Sequence, residues 1–268
     1  MCSLPPVPPP PPPPLPPNFT LPKISLDNTT PPNYDNICQW ALPELSVWEV
    51  CAKNQICLNK APYQYKYKKF KSIMQQGPTC GLVALSMLLD EQITPEELMN
   101  IAKQKGFSSN GEMFSCNNMA KLAQYAITLI NKENINFCVK MGGLFSEEVI
   151  LELLNGAVLL VAYDADFNHS PCLRRGHTAH WALVCGIIIV SEPVESYISD
   201  PNNVYVLCKH GKSRYLTAWS LNVLDKSNKN LWEFSPKKQQ DGLVYTLPEG
   251  GIGGENGIRD QFLIFYGL

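Results

Sequence analysis

Seven consecutive prolines at positions 8–14 restrict the start of this chain more strongly than any other sequence feature. Fourteen of the 23 prolines lie within residues 1–32. Proline has no backbone N–H donor, and a run of prolines adopts the extended polyproline II conformation. Such a segment also offers few apolar side chains, so we expect residues 1–33 to form a disordered, proline-rich tail outside the core.

Two roles for this tail remain open on the residues alone. A solvated spacer tolerates any polar composition. A run of prolines followed by Leu15, Pro16 and Pro17 is also a preordered ligand for aromatic grooves.

The rest of the chain has apolar material for one sizeable core, since 45% of all residues are hydrophobic. A net charge of -2 disfavours nucleic acid and anionic membranes as partners. The longest apolar run, residues 182–190, is too short to span a bilayer, and the N-terminus lacks the basic start of a secretory signal. We therefore expect a cytoplasmic protein whose ten cysteines are mostly reduced and buried.

The order of the periodic segments predicts the fold class. Residues 34–72 form an irregular lead-in, whereas helical spacing appears at 81–91, after Thr94, and at 117–126 and 147–154. Thr94, Pro95 and Glu97 form a capping signal for the second of these helices, and Ser146 is the predicted cap of the last. Strand patterns follow at residues 157–163, 180–190, 204–209, 214–219, 243–247 and 261–266. Helices first and strands second predict an α+β domain over residues 73–268, with N-terminal helices packed on an antiparallel sheet.

Cys80 is the candidate nucleophile. It lies between a Gly77-Pro78 turn and an apolar helix, where unpaired backbone N–H groups carry partial positive charge and favour a thiolate. Gln75 has an amide that, together with the Cys80 backbone N–H, would bind the oxyanion of a tetrahedral intermediate. For a lone cysteine, an inert buried thiol is the alternative.

A cysteine nucleophile needs a base and a group that orients the base. His180 begins the most apolar predicted strand, which places its ring at a strand end. Asp200 precedes the next strand and is the candidate acceptor for the second ring N–H of His180. Asp200 is also an ordinary turn residue in the Asp-Pro-Asn-Asn sequence.

The histidines allow a competing interpretation. His169, Cys172, His177 and His180 form a mixed nitrogen and sulfur donor set that suits zinc. The spacing matches none of the familiar zinc signatures, and a structural zinc would leave Cys80 without a base. We therefore expect no metal and no organic cofactor.

Several separated motifs between residues 75 and 251 resemble the actin maturation protease family. They are Gln75-Gln76-Gly77-Pro78-Thr79-Cys80-Gly81-Leu82, Gly111-Glu112-Met113-Phe114-Ser115, Asp166-Phe167-Asn168-His169, Pro171-Cys172, Gly176-His177, Ala179-His180-Trp181-Ala182, Phe234-Ser235-Pro236 and Asp241-Gly242. That family is similar to the C39-like peptidases of papain-like fold.

The resemblance implies catalytic roles for Cys80, His180 and Asp200. C39-like enzymes carry the oxyanion glutamine six residues before the cysteine, where this chain has Met74. The amide donor therefore stays open between Gln75 and Gln76.

The resemblance also implies the substrate, which is the acetylated N-terminal Met or Cys of immature actin. Because actin is acidic just past that position, we expect Arg174, Arg175 and His177 to bind substrate. The tail resembles a ligand of profilin, a carrier of actin, so profilin is an expected partner. The alternatives are a proline-rich adaptor with a zinc-binding or inactive protease fold, and an acyl transferase that uses an amine instead of water.

Overall fold

An antiparallel sheet organises residues 39–56 and 60–268, the part of the chain that the computed structural model describes. The expected tail lies outside these residues. The strands are β1 (Gln64–Tyr67), β2 (Asn136–Met141), β3 (Val158–Asp164), β4 (Ala179–Ile189), β5 (Val204–His210), β6 (Thr217–Ser220) and β7 (Gln261–Tyr266). Six of them follow the order β2-β7-β3-β4-β5-β6, and β1 pairs with the second half of β4.

Helices cover both faces of this sheet. They are α1 (Leu45–Lys53), α2 (Cys80–Leu88), α3 (Pro95–Gln104), α4 (Cys116–Leu129), α5 (Glu147–Leu154) and α6 (Leu221–Lys229). Side chains of α1 to α4 share a core with one set of strand residues, and those of α5 and α6 share a core with the alternate set. Because both faces are buried, β3 is apolar at nearly every position instead of alternating.

The predicted α+β class with an antiparallel sheet is confirmed. Helices α3 and α5 also begin where their capping signals predict. The Thr94 hydroxyl accepts the Glu97 N–H, and the Glu97 carboxylate accepts the Thr94 N–H, which completes a capping box before Pro95. Ser146 caps α5 by accepting the Val149 N–H at 3.3 Å. None of the helices within the described ranges has the length and apolarity needed to cross a membrane.

The lead-in is more regular than its sequence predicts. Within the described part of residues 34–72, α1 buries Val47 and Val50 in the core, and β1 pairs with β4. The predicted strand at 243–247 is instead an extended loop. Its backbone bonds to side chains, since Asn110 donates to the Val244 carbonyl and the Thr246 N–H donates to Glu112.

Candidate active site

Cys80 is the first residue of α2, and close packing fixes that position. Residues 81–88 of this helix are all buried. A Cβ at Gly81 would lie 2.7 Å from the Met119 methyl carbon and 3.1 Å from Trp181 Cδ1. Only glycine allows the first turn of α2 to approach β4 this closely.

The electrostatics of the Cys80 thiol differ from the prediction. Burial raises the pKa of Cys80, although N–H groups of Trp181, Gly81 and Cys80 itself hydrogen bond toward the sulfur and Lys238 lies nearby, all of which act in the opposite direction. Desolvation of the thiolate outweighs the helix N-terminus. In this structure, therefore, the Cys80 side chain is a thiol near neutral pH, whereas the sequence predicts a thiolate.

His180 lies near the start of β4 and faces the same cavity as Cys80. The cavity has a volume of about 460 Å³, within the usual range for ligand sites. Its lining brings together predicted and unpredicted residues, including Gln75, Cys80, His169, His180, Lys212 and Lys238. The structure thus assembles the predicted nucleophile and base in one concave site.

The His180 ring is almost fully buried among aromatic neighbours. Its centroid lies 5.7 Å from Tyr163, 5.7 Å from His210 and 6.2 Å from His169. Burial first, and then the neighbouring imidazoles, lower the pKa of His180 to about 3. His180 is therefore neutral near pH 7, which leaves one ring nitrogen free to accept a proton.

Asp200 does not reach His180. The strand register pairs Ala182 with His210 but Ile189 with Val204, so Asp200 lies beyond the opposite end of β4. At about 3.3 Å per residue, the 11 residues of that strand separate the two sites by roughly 30 Å. The exposed Asp200 carboxylate instead accepts the Asn202 N–H at 2.9 Å within its own turn.

Gln75, not Gln76, lines the cavity. Its backbone N–H donates to the Gly211 carbonyl, and a Cβ at Gly211 would lie 2.8 Å from the Gln75 side chain. The Gln75 amide NH2 donates one N–H to the Gly77 carbonyl at 2.8 Å, which leaves its second N–H for an oxyanion. Gln76 is exposed.

The four residues of the zinc interpretation do not converge. His177 Nε2 lies 3.0 Å from the Glu233 carboxylate, whereas His169 stacks near His180. Nowhere in the described ranges do three histidine, cysteine or acidic side chains form a group that could hold a metal ion.

The two arginines of the predicted substrate site are engaged elsewhere. Arg174 stacks on Phe167, with its guanidinium carbon 4.4 Å from the ring centroid. Arg175 forms an ion pair with Glu233 at 2.7 Å. Of the predicted substrate-binding residues, only His177 is part of the cavity lining.

A buried carboxylate shapes the loop before His180. Asp164, at the end of β3, accepts hydrogen bonds from the backbone N–H groups of Arg174, Gly176 and Thr178, and from the Thr178 hydroxyl. These donors satisfy a fully buried charge without a cation. They also hold the loop that leads into β4, so they fix where that strand begins.

The sequence interpretation missed His210, Lys212 and Lys238. His210 ends β5, and antiparallel pairing returns that end to the start of β4. Once β4 and β5 are taken as an antiparallel pair, counting residues from their connection places His210 beside the start of β4. Neither lysine forms an ion pair in the described ranges, although the acidic residues Glu112 and Asp166 line the same cavity.

Known proteins resemble this chain over most of its length. The family model described as "Actin maturation protease-like, C-terminal domain" matches residues 70–188. The actin maturation protease of Drosophila melanogaster is 39% identical over 241 residues, which cover 87% of this chain and 84% of that protein. The mouse protein of the same name is 38% identical over 72% of this chain and 61% of its own length, and the human protein 36% identical over 68% and 60%.

The lowered histidine pKa values predict acid sensitivity. His180 and His210 have folded pKa values of about 3 and about 4, below the ordinary value of 6.5. The unfolded chain therefore binds more protons as pH falls from 6.5 toward 4, and each histidine removes about 1.4 kcal/mol of stability per pH unit. Urea unfolding between pH 7 and pH 4.5 should show this loss.

His180→Asn isolates the contribution of one histidine. The variant should reduce the slope of unfolding free energy against pH by about 1.4 kcal/mol per unit over that interval. Equal slopes for the variant and the parent protein would contradict the buried, neutral state of His180.

Proposed function

This chain belongs to the actin maturation protease family, and we propose on that premise that it is a cysteine aminopeptidase that removes the acetylated N-terminal Met or Cys from immature actin. The observation that carries the proposal is that Cys80 and His180 line one cavity. This chain is 39% identical over 87% of its length to an actin maturation protease. It also has the cysteine and the histidine that a cysteine protease requires.

The proposed architecture is a papain-like, C39-like peptidase domain over residues 73–268, located in the cytoplasm. Support comes from the arrangement of a cysteine at a helix start against a histidine at the start of an antiparallel strand. Because β1 pairs with β4, the lead-in is part of the same folded unit as the domain.

In the first half of the proposed reaction, the Cys80 thiol gives its proton to His180 and the sulfur attacks the first peptide carbonyl. Charge that develops on the carbonyl oxygen is stabilised by the Cys80 backbone N–H at the start of α2 and by the amide of Gln75. His180 then protonates the leaving amine, which becomes the new N-terminus of actin.

In the second half, water attacks the thioester that joins the N-acetyl amino acid to Cys80. His180 accepts a proton from that water, and the thiolate leaves and is reprotonated. The products are an N-acetyl amino acid and shortened actin. The acyl transferase alternative differs only in that an amine replaces the water.

The adaptor alternative has weaker support. A zinc-binding adaptor requires donors that converge, whereas His177 pairs with Glu233. An inactive fold does not require a cavity that joins a cysteine, a neutral histidine and an amide.

Mass spectrometry of actin that carries its acetylated first residue tests the function. Incubation with the protein should remove the mass of one acetylated residue, because Cys80 and His180 cleave the first peptide bond. Cys80→Ala should leave actin unchanged, since the acyl-enzyme cannot form. Loss of the residue with both proteins would exclude Cys80 as nucleophile, and unchanged actin with both folded proteins would exclude the proposed activity.

We propose that Lys212 and Lys238 share recognition of the acidic actin segment with Arg174, Arg175 and His177. The lysines line the cavity without a carboxylate partner in the described part of the chain. Lys238 also lies over the rings of Phe114 and Tyr245, at 5.6 and 5.8 Å from their centroids. Those contacts hold its ammonium group at the cavity.

Charge reversal separates the two pairs. Lys212→Glu with Lys238→Glu should raise KM for an acidic actin peptide by roughly 3- to 10-fold and leave KM for a neutral peptide unchanged, as expected for exposed charge pairs. Arg174→Glu with Arg175→Glu is the matched control and should have a smaller effect, because those arginines already contact Phe167 and Glu233. A larger increase in KM for the arginine variant would mean that Arg174 and Arg175, not the two lysines, bind the acidic segment.

We also propose that the tail binds profilin and so raises the local concentration of actin near the site. Deletion of residues 1–33 should slow cleavage of profilin-bound actin and leave cleavage of a free peptide unchanged. If the deletion variant and the full chain cleave profilin-bound actin at the same rate, the tail is only a spacer.

A further inference from the structure

The base of this site lacks the support that its role requires. A histidine that accepts a proton through one ring nitrogen needs a neighbour that fixes the ring and accommodates the second nitrogen. His180 Nε2 is buried and has no hydrogen-bond partner within the described residues, and Asp200 lies at the far end of β4. Some other group must orient the ring.

The strand register identifies which side chains can do so. Tyr163 on β3 is the direct cross-strand partner of His180. His210 pairs with Ala182, so it is the diagonal neighbour of His180 on the same face of the sheet, within reach of an aromatic side chain. The two imidazoles meet edge to face, with an interplanar angle of 78°.

His210 is itself held from two further directions. Its ring stacks on Trp219 of β6 at a centroid distance of 5.8 Å and an angle of 20°. Its Nδ1 accepts the Lys212 backbone N–H at 3.3 Å, so the ring proton is assigned to Nε2. Tyr163 is less suited to the role, because its hydroxyl already donates to the His169 carbonyl at 2.8 Å.

The same turn supports the other half of the site. Gly211, directly after His210, accepts the Gln75 N–H and leaves the space that the Gln75 side chain occupies. Lys212 follows and lines the cavity. The end of β5 therefore contacts both the base and the candidate oxyanion donor.

We infer that His210, at the end of β5, is the positioning residue for His180: it holds the ring by edge-to-face packing, in place of the hydrogen bond that a carboxylate or amide side chain accepts in other cysteine proteases. This inference rests on the proposed function. His210 acts through His180 and does not contact the substrate bond. A neutral partner leaves His180 unprotonated at rest, so the proton moves only when the thiol attacks.

Several groups besides His210 influence the charge of His180. Those that face it or lie near it from the surrounding elements are Tyr163, His169, Lys212, Lys238 and, across the cavity, Cys80. Burial and the His210 imidazole are the two largest causes of its lowered pKa. Replacing His210 should therefore raise the pKa of His180. A substitution that only destabilised a distant part of the fold would leave that pKa unchanged.

Three variants test the inference: His210→Ala, His210→Asn and Asp200→Asn. On an N-acetylated actin-sequence peptide, His210→Ala should lower kcat by on the order of 10- to 100-fold with KM little changed, as for other groups that orient a functional histidine. His210→Asn supplies an amide oxygen that can accept the second ring N–H of His180, so it should recover part of that loss. Asp200→Asn should retain the parent kcat.

NMR of the His180 ring, over the pH range in which each protein stays folded, gives a readout that needs no substrate. The parent ring should stay unprotonated throughout that range. Both His210 variants should shift the His180 pKa upward, and Asp200→Asn should not. An unchanged kcat and an unchanged His180 pKa in both His210 variants would overturn the inference, as would a loss in Asp200→Asn equal to that in His210→Ala. If the parent protein does not cleave the peptide, the proposed function fails, while the titration still decides the role of His210.

Discussion

The contact between Gly81 and Trp181 is the constraint on which the site depends. It brings the first turn of α2 against β4 so closely that a Cβ at Gly81 would lie 2.7 Å from Met119. Trp181 is fixed in turn, because its indole N–H donates to the Met113 carbonyl at 2.8 Å. Since Cys80 precedes Gly81 and His180 precedes Trp181, this one packing contact places Cys80 and His180 at the same cavity.

Burial decides the chemistry of the resting site. The cysteine pKa is raised and both strand-end histidine pKa values are lowered, so thiol and imidazole are both neutral. A buried ion pair would need strong compensation in such surroundings. The cations of Lys212 and Lys238 at the cavity further disfavour a protonated His180, and under the proposed function they also attract an acidic substrate. The same two positive charges therefore influence both substrate binding and proton transfer to His180.

The sequence predicts the elements whose signals are local. The Thr94 capping box, the Ser146 cap and the apolar runs of β3, β4 and β7 all appear where the pattern indicates. Helix α6 escapes prediction because three of its five buried residues, Asp225, Ser227 and Asn228, are polar. Asn228 donates to the carbonyls of Ala162, Ile258 and Gln261, and such a role is invisible before the fold is known.

Cys80 and His180 are recognisable from sequence because each has a marked local setting, a helix start and a strand start. The third residue is not, because it depends on register. Asp200 follows β4 in the chain and lies near the far end of that strand. Because β5 runs antiparallel to β4, only the last residue of β5, His210, comes back to the start of β4, where His180 lies. The engagement of Arg175 with Glu233 likewise depends on two segments 58 residues apart.

The most direct test of the account is to label the protein with the chloromethyl ketone of N-acetylmethionine, which places an electrophile at the position of the scissile carbonyl. We predict that peptide mass spectrometry will find the adduct on Cys80 alone among the ten cysteines, and that excess N-acetylmethionine will slow its formation. An adduct on another cysteine, or none on Cys80 in the folded protein, would contradict the claim that Cys80 and His180 form a site for an N-acetylated residue.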